Sequence, residues 1–79
     1  MALRKLSEIQ IGCKCKLVSI DSELTSKNRL KELGFVEEAE IMPCYKGING
    51  NPIACKIWGS MMAIRKADAE KIFVEEEIE

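Results

Sequence analysis

Apolar and polar residues alternate most clearly between Lys46 and Arg65, in the stretch KGINGNPIACKIWGSMMAIR. From Ile53 onward the two-residue period puts Ile53, Cys55 and Ile57 on one face and Ala54, Lys56 and Trp58 on the other, as a half-buried strand requires. Gly47, Gly50 and Asn51 punctuate the reversal before this strand. Pro52 can open it, because a first position need not donate to a ladder. Gly59-Ser60 predicts a two-residue hairpin turn, since glycine accepts the positive φ of a primed turn. Met61 to Arg65 then returns with Met62 and Ile64 on the apolar side. A three-stranded meander with one apolar face must be covered by the rest of the chain.

The flanking segments supply that cover. Leu3, Leu6 and Ile9 are three apart and predict one helical turn that plugs an end of the core, with Gly12 as its stop. Cys13 to Ile20 predicts the first strand. Cys13, Cys15 and Leu17 share a face, after which Val18 and Ile20 fall on the other, and a phase slip of this kind predicts a bulge near Leu17-Val18. Ser26 is placed to cap a two-turn helix over Lys27 to Leu33, with Leu30 and Leu33 facing inward, Gly34 as a left-handed stop and Phe35 and Val36 packed beneath. Glu37, Glu38 and Ala39 form a turn. Glu40 to Tyr45 is the second strand, in which Pro43 marks an edge or a bulge. Lys66 to Lys71 makes a helical turn, and Ile72 to Val74 forms a last strand that closes against the first. Residues 75–79 read as a frayed acidic tail. The fold class is therefore mainly β. Five short strands form a small closed or nearly closed barrel, with one short helix between the first two strands and a helical turn before the last.

Composition narrows the function. The chain has 79 residues, so it is expected to be one domain spanning 1–79, near the lower limit for a single core. A net charge of -1 with no Lys/Arg stripe argues against a nucleic-acid-binding barrel. The N-terminus has no secretory pattern and no apolar run is long enough to cross a bilayer, so a cytoplasmic location is expected. There is no histidine, no phosphate-binding glycine loop and no nucleophile elbow, so an enzyme is not expected. Four cysteines remain: Cys13, Cys15, Cys44 and Cys55. Four thiolates can hold zinc or a softer metal, but structural zinc sites pair their cysteines on turns, whereas Cys44 and Cys55 stand alone within strands. Core filling is the favoured reading, and no bound cofactor is expected.

Several stretches together resemble the FeoA family, the small cytoplasmic partner in bacterial ferrous iron uptake. They are Leu6-Ser7 with Gly12, Arg29-Leu30 with Leu33-Gly34-Phe35, Gly50-Asn51-Pro52-Ile53, Gly59 with Met62-Ala63-Ile64-Arg65, and Ala69, Ile72 and Val74. The resemblance implies an SH3-like barrel that works beside FeoB, the large membrane permease with a GTPase domain, at the inner face of the membrane. It also implies a link to transition metals and carries no catalytic residues. The chain departs from the family pattern after the helix. Glu37-Glu38 stands where Pro-Gly is frequent, which excludes a glycine-dependent turn there. The cysteines lie outside the signature.

On this reading the chain is a non-enzymatic accessory acting by protein–protein contact. The alternative is a metal-binding or metal-sensing module that uses the cysteine thiolates. Trp58 is the leading contact residue, because a large exposed aromatic is expensive unless it meets a partner. Otherwise it folds over the barrel end against Leu3 or Leu6. Met61 flanks it across the hairpin. Lys27, Arg29 and Lys31 offer a basic helix face to an acidic partner, or are simply solvated.

Overall fold

The computed structural model describes residues 3–77. Strands β1 (Arg4–Lys5), β2 (Cys15–Ile20), β3 (Glu40–Lys46), β4 (Ile53–Ile57), β5 (Ser60–Ile64) and β6 (Ile72–Glu76) form one antiparallel sheet in the order β1-β6-β2-β3-β4-β5. Two short helices interrupt it, α1 (Lys27–Glu32) and α2 (Lys66–Ala69). The architecture is mainly β, as expected, but the strands number six where five were expected. The extra one is the two-residue β1, whose Arg4 pairs with Val74. Only Leu6–Glu8 forms the expected helical turn, as a 3₁₀ turn, so Leu3 lies upstream of it and is exposed while Leu6 and Ile9 are buried.

The sheet curls because it is bulged. Leu17 pairs with Val74 and Ser19 with Phe73, so Val18 is the extra residue and Leu17 and Ile20 both reach the core. A second irregularity lies between Pro43 and Tyr45, which makes Pro43 a bulge residue rather than an edge marker. Pro43 is buried. Its carbonyl accepts the Gly12 N–H at 2.8 Å. Inside the curl lie the aliphatic residues of all the longer strands, together with Leu6, Ile9, Leu30, Phe35 and Ala69. No polar or charged side chain is buried among the described residues.

The end of α1 shows why one expected core residue is outside. The Gly34 N–H donates to the Lys31 carbonyl at 3.1 Å and the Phe35 N–H to the Leu30 carbonyl at 3.0 Å, with Gly34 at φ +108°. This is a Schellman ending, and it brings Phe35 back under Leu30. Phe35 fills the space beneath the helix, so Leu33 is left 40% exposed and Val36 is exposed as well. Ser26 does not cap the helix. Its backbone is not extended (φ -87°, ψ 7°), so its hydroxyl does not reach the free N–H groups.

Two further expectations change. Glu38 adopts a left-handed conformation (φ 69°) without being glycine, and its N–H is held by the Leu17 carbonyl at 2.8 Å. A left-handed turn position is therefore occupied here without glycine. The acidic tail is not frayed over the described part. Cys15 pairs with Glu76 and Lys16 with Glu75, while the Glu77 N–H donates to Lys14 at 3.0 Å. Residues 78 and 79 lie outside the described residues.

This packing predicts unequal costs for truncation around the helix end. Phe35→Ala should lose about 3–5 kcal/mol, enough to unfold much of so small a domain. Leu33→Ala should lose less than about 1 kcal/mol. Urea midpoints followed by circular dichroism measure both, and equal losses would contradict the assignment.

Candidate partner-binding surface

The β4–β5 hairpin places Trp58. Ile57 pairs with Ser60, so the two turn residues are Trp58 and Gly59, one position earlier than the expected Gly59-Ser60. Both have positive φ, 52° and 78°, the signature of a type I′ turn. A tryptophan in the left-handed region is strained, and a contact distant in sequence holds it there. The indole Nε1–H donates to the Gly34 carbonyl at 2.9 Å. The ring lies so close to Gly34 that an added Cβ would stand 2.5 Å from Trp58 Cδ1 and 2.8 Å from Nε1. Gly34 is thus required twice, by its own backbone and by its neighbour's ring.

Trp58 therefore rests on the end of α1 and not on Leu3 or Leu6. It remains 67% exposed. It borders an open groove of about 410 Å³ on the outer face of the sheet, lined also by Lys14, Glu40, Met42, Lys56 and Gly59. Met61 is 57% exposed and stands opposite Lys56, one pair from the turn. Lys56 is thus the outward neighbour common to Trp58 and Met61. The alternation that assigns it outward already contained this.

The helix cations do not act as one cluster. Lys27 and Lys31 border a groove against Leu17, Val18 and Glu37, on the β2 side. Arg29 borders a different groove, against Ala63, Ile64 and Arg65, on the β5 side. No carboxylate lies within ion-pair distance of the three among the described residues.

The four cysteines are free thiols. Cys15 and Cys55 are fully buried on inward strand positions. Burial pushes the Cys15 thiol up to about 12, with Cys55 and nearby carboxylates adding to the effect. Burial likewise pushes Cys55 up to about 12, with Cys44 adding to it. Both are protonated at neutral pH. Cys15 Sγ donates to the Ile41 carbonyl at 3.3 Å, and Cys44 Sγ to the Met42 carbonyl at 3.4 Å. A metal ligand must be a thiolate, whereas burial holds Cys15 and Cys55 as thiols. Among the described residues no three His, Cys, Asp or Glu side chains are grouped to hold a metal ion.

Three expected outcomes follow from these contacts. Gly34→Ala should lose about 1–3 kcal/mol and shift the Trp58 fluorescence, because the new methyl displaces the indole. Adding Trp58→Ala should recover part of that loss, and a purely additive double mutant would refute the shared contact. Ellman's reagent should modify Cys13 and Cys44 well before Cys15 and Cys55, which should react only on unfolding. Burial holds both thiols at about 12 in the folded chain, above the ordinary thiol range, so the stability they contribute is complete below that range and is lost as pH rises toward 12. Unfolding midpoints between pH 8 and pH 12 should decline less in Cys55→Ala than in the unaltered chain.

Comparison with known proteins agrees with the geometry. No curated protein matches the chain significantly. Among solved structures, a FeoA-like protein of Clostridium acetobutylicum superposes with a TM-score of 0.90 at 30% identity, covering 100% of this chain and 92% of that one. FeoA of Chlorobium tepidum gives a TM-score of 0.85 at 30% identity, covering 92% and 70%. FeoA of Stenotrophomonas maltophilia, described as an SH3 domain protein and complexed with zinc, gives 0.80 at 26% identity, covering 91% and 89%. The fold is thus the SH3-like one that the resemblance implied. The FeoA domain model matches residues 4–76, nearly the whole described length, and the chain belongs to the FeoA family.

Proposed function

We propose that this chain is a non-enzymatic accessory of bacterial ferrous iron uptake that acts by binding the cytoplasmic part of a FeoB-type permease. The family is linked to ferrous iron transport. The observation that carries the contact mechanism is the state of Trp58. A hydrogen bond and a strained turn fix its indole, yet two thirds of it faces solvent. An aromatic held in one orientation loses little entropy on docking, which is what a binding hot spot needs. Lys56 and Met61 extend the patch, and Lys27, Arg29 and Lys31 lie on the helix beside it. On this reading the partner brings the chain to the inner face of the membrane; no helix among the described residues is long and apolar enough to cross a bilayer.

Membranes carrying a FeoB-type permease should retain the immobilised protein, with and without guanine nucleotide. Trp58→Ala should weaken retention by roughly 30-fold or more, the scale of a hot-spot truncation. Its thermal midpoint should fall only by the amount expected for one lost hydrogen bond, about 1 kcal/mol. Equal retention by the variant would remove Trp58 from the interface. Failure of the unaltered protein to bind would remove the permease.

A further inference from the structure

The hydrogen-bonded order of the sheet ends at β1 on one side and at β5 on the other. β1 has two residues, whereas β5 has five and is a usable edge. The type I′ turn makes Ile57 and Ser60 the hydrogen-bonded closing pair. Bonding then alternates. Ser60, Met62 and Ile64 bond to β4, while Met61 and Ala63 direct their N–H and C=O groups away from it. Among the described residues no other backbone group bonds to Met61 or Ala63, and both residues are exposed.

Beside this edge runs a groove of about 330 Å³ between β5 and α1. Ala63, Ile64 and Leu33 give it apolar walls, and Arg29 and Arg65 stand over it. Arg29 has no ion-pair partner among the described residues, and Arg65 has only Asp68, at 3.6 Å with the guanidinium side largely in solvent. Ser26 also lines the groove; the residue is partly exposed, but its Oγ atom is shielded from solvent and has no hydrogen-bond partner among the described residues. Unpaired main-chain groups, an aliphatic slot and two cations, one of them paired with Asp68 at the same groove, therefore converge on one strip of surface.

We propose that the β5 edge accepts an extended segment of a partner protein as a further antiparallel or parallel strand, and that this segment alternates acidic and aliphatic residues. Its backbone bonds to Met61 and Ala63, its aliphatic side chains enter the slot beside Leu33, and its carboxylates meet Arg29 and Arg65. Charge selects this occupant over a second copy of the chain. Pairing β5 with its own counterpart would set two basic rims against each other, each with Arg65 and Lys66, and like charges across a seam are destabilising. The proposal does not depend on the permease assignment, because its test uses a defined peptide.

The test is an amide-resolved NMR titration of the full chain with a synthetic peptide of about eight residues, alternating Glu and Val. A Lys/Val counterpart serves as the control. The Glu/Val peptide should shift and protect the Met61 and Ala63 amides, and added salt should weaken it. The R29E and R65E variants should each lose about tenfold in affinity. Ala63→Pro should abolish binding while leaving the β4–β5 ladder intact, since the Ala63 N–H takes no part in that ladder. If Ala63→Pro fails to fold, the two charge reversals decide the matter. Three results would each overturn the proposal: equal binding of the Lys/Val peptide, shifts confined to the Trp58 groove, or concentration-dependent shifts of Met61 and Ala63 with no peptide present.

Discussion

A single sheet of short strands has only its own curvature with which to hide an apolar face, and this chain depends on that constraint throughout. No charged or polar side chain is buried among the described residues, so the interior is held by aliphatic packing around Phe35. Such a core forms only if the strands bend. The extra residues at Val18 and Cys44 provide the bend, one on each side of the β2–β3 pair. The helices act as lids for the ends of the curl, and α1 covers its end with just two residues, Leu30 and Phe35. With so little redundancy, each lid must stop where it does. The Schellman ending at Gly34 is therefore a condition of the core as much as of the helix.

The parts of this design that obey local rules were legible in the sequence. The alternation in β4 places Cys55 and Ile57 correctly, the slip after Leu17 marks the bulge, and Gly34 marks the helix stop. The parts that were not legible depend on contacts distant in sequence. Trp58 takes a left-handed turn position that its own propensity disfavours, because Gly34, 24 residues earlier, accepts its hydrogen bond. Local turn propensity therefore places the turn one residue late. Helical spacing points Leu33 inward, but Phe35 returns to the same space and a single short helix cannot bury both. Glu38 is left-handed because the Leu17 carbonyl holds its N–H, which no local pattern announces. The candidate site was legible as residue types and less so as an arrangement, since the helix cations that are adjacent in sequence face two different grooves.

Charge is distributed to match. In and beside β1, β2, β3 and β6, three carboxylates find lysine or arginine neighbours: Arg4 with Glu76, Lys14 with Glu40 and Lys16 with Glu77. These are exposed pairs and add little stability, but they neutralise that side of the molecule. Lys27, Arg29, Lys31 and Lys56 have no such neighbours among the described residues, and they are spread over three separate grooves. Composition gives only the formal charge of -1, and the fold decides which cations stand unpaired.

Gly34 is where the fold and the exposed surface meet. It ends α1, turns Phe35 into the core, and receives the indole of Trp58 on its bare backbone. The outward aromatic and the inward one are therefore fixed by the same few atoms. Trp58 is 67% exposed and so adds little to folding, yet its position depends on a glycine at which any side chain would collide with the indole. A surface residue held this firmly is preorganised, and preorganisation spares the ordering cost that a mobile side chain would meet on binding.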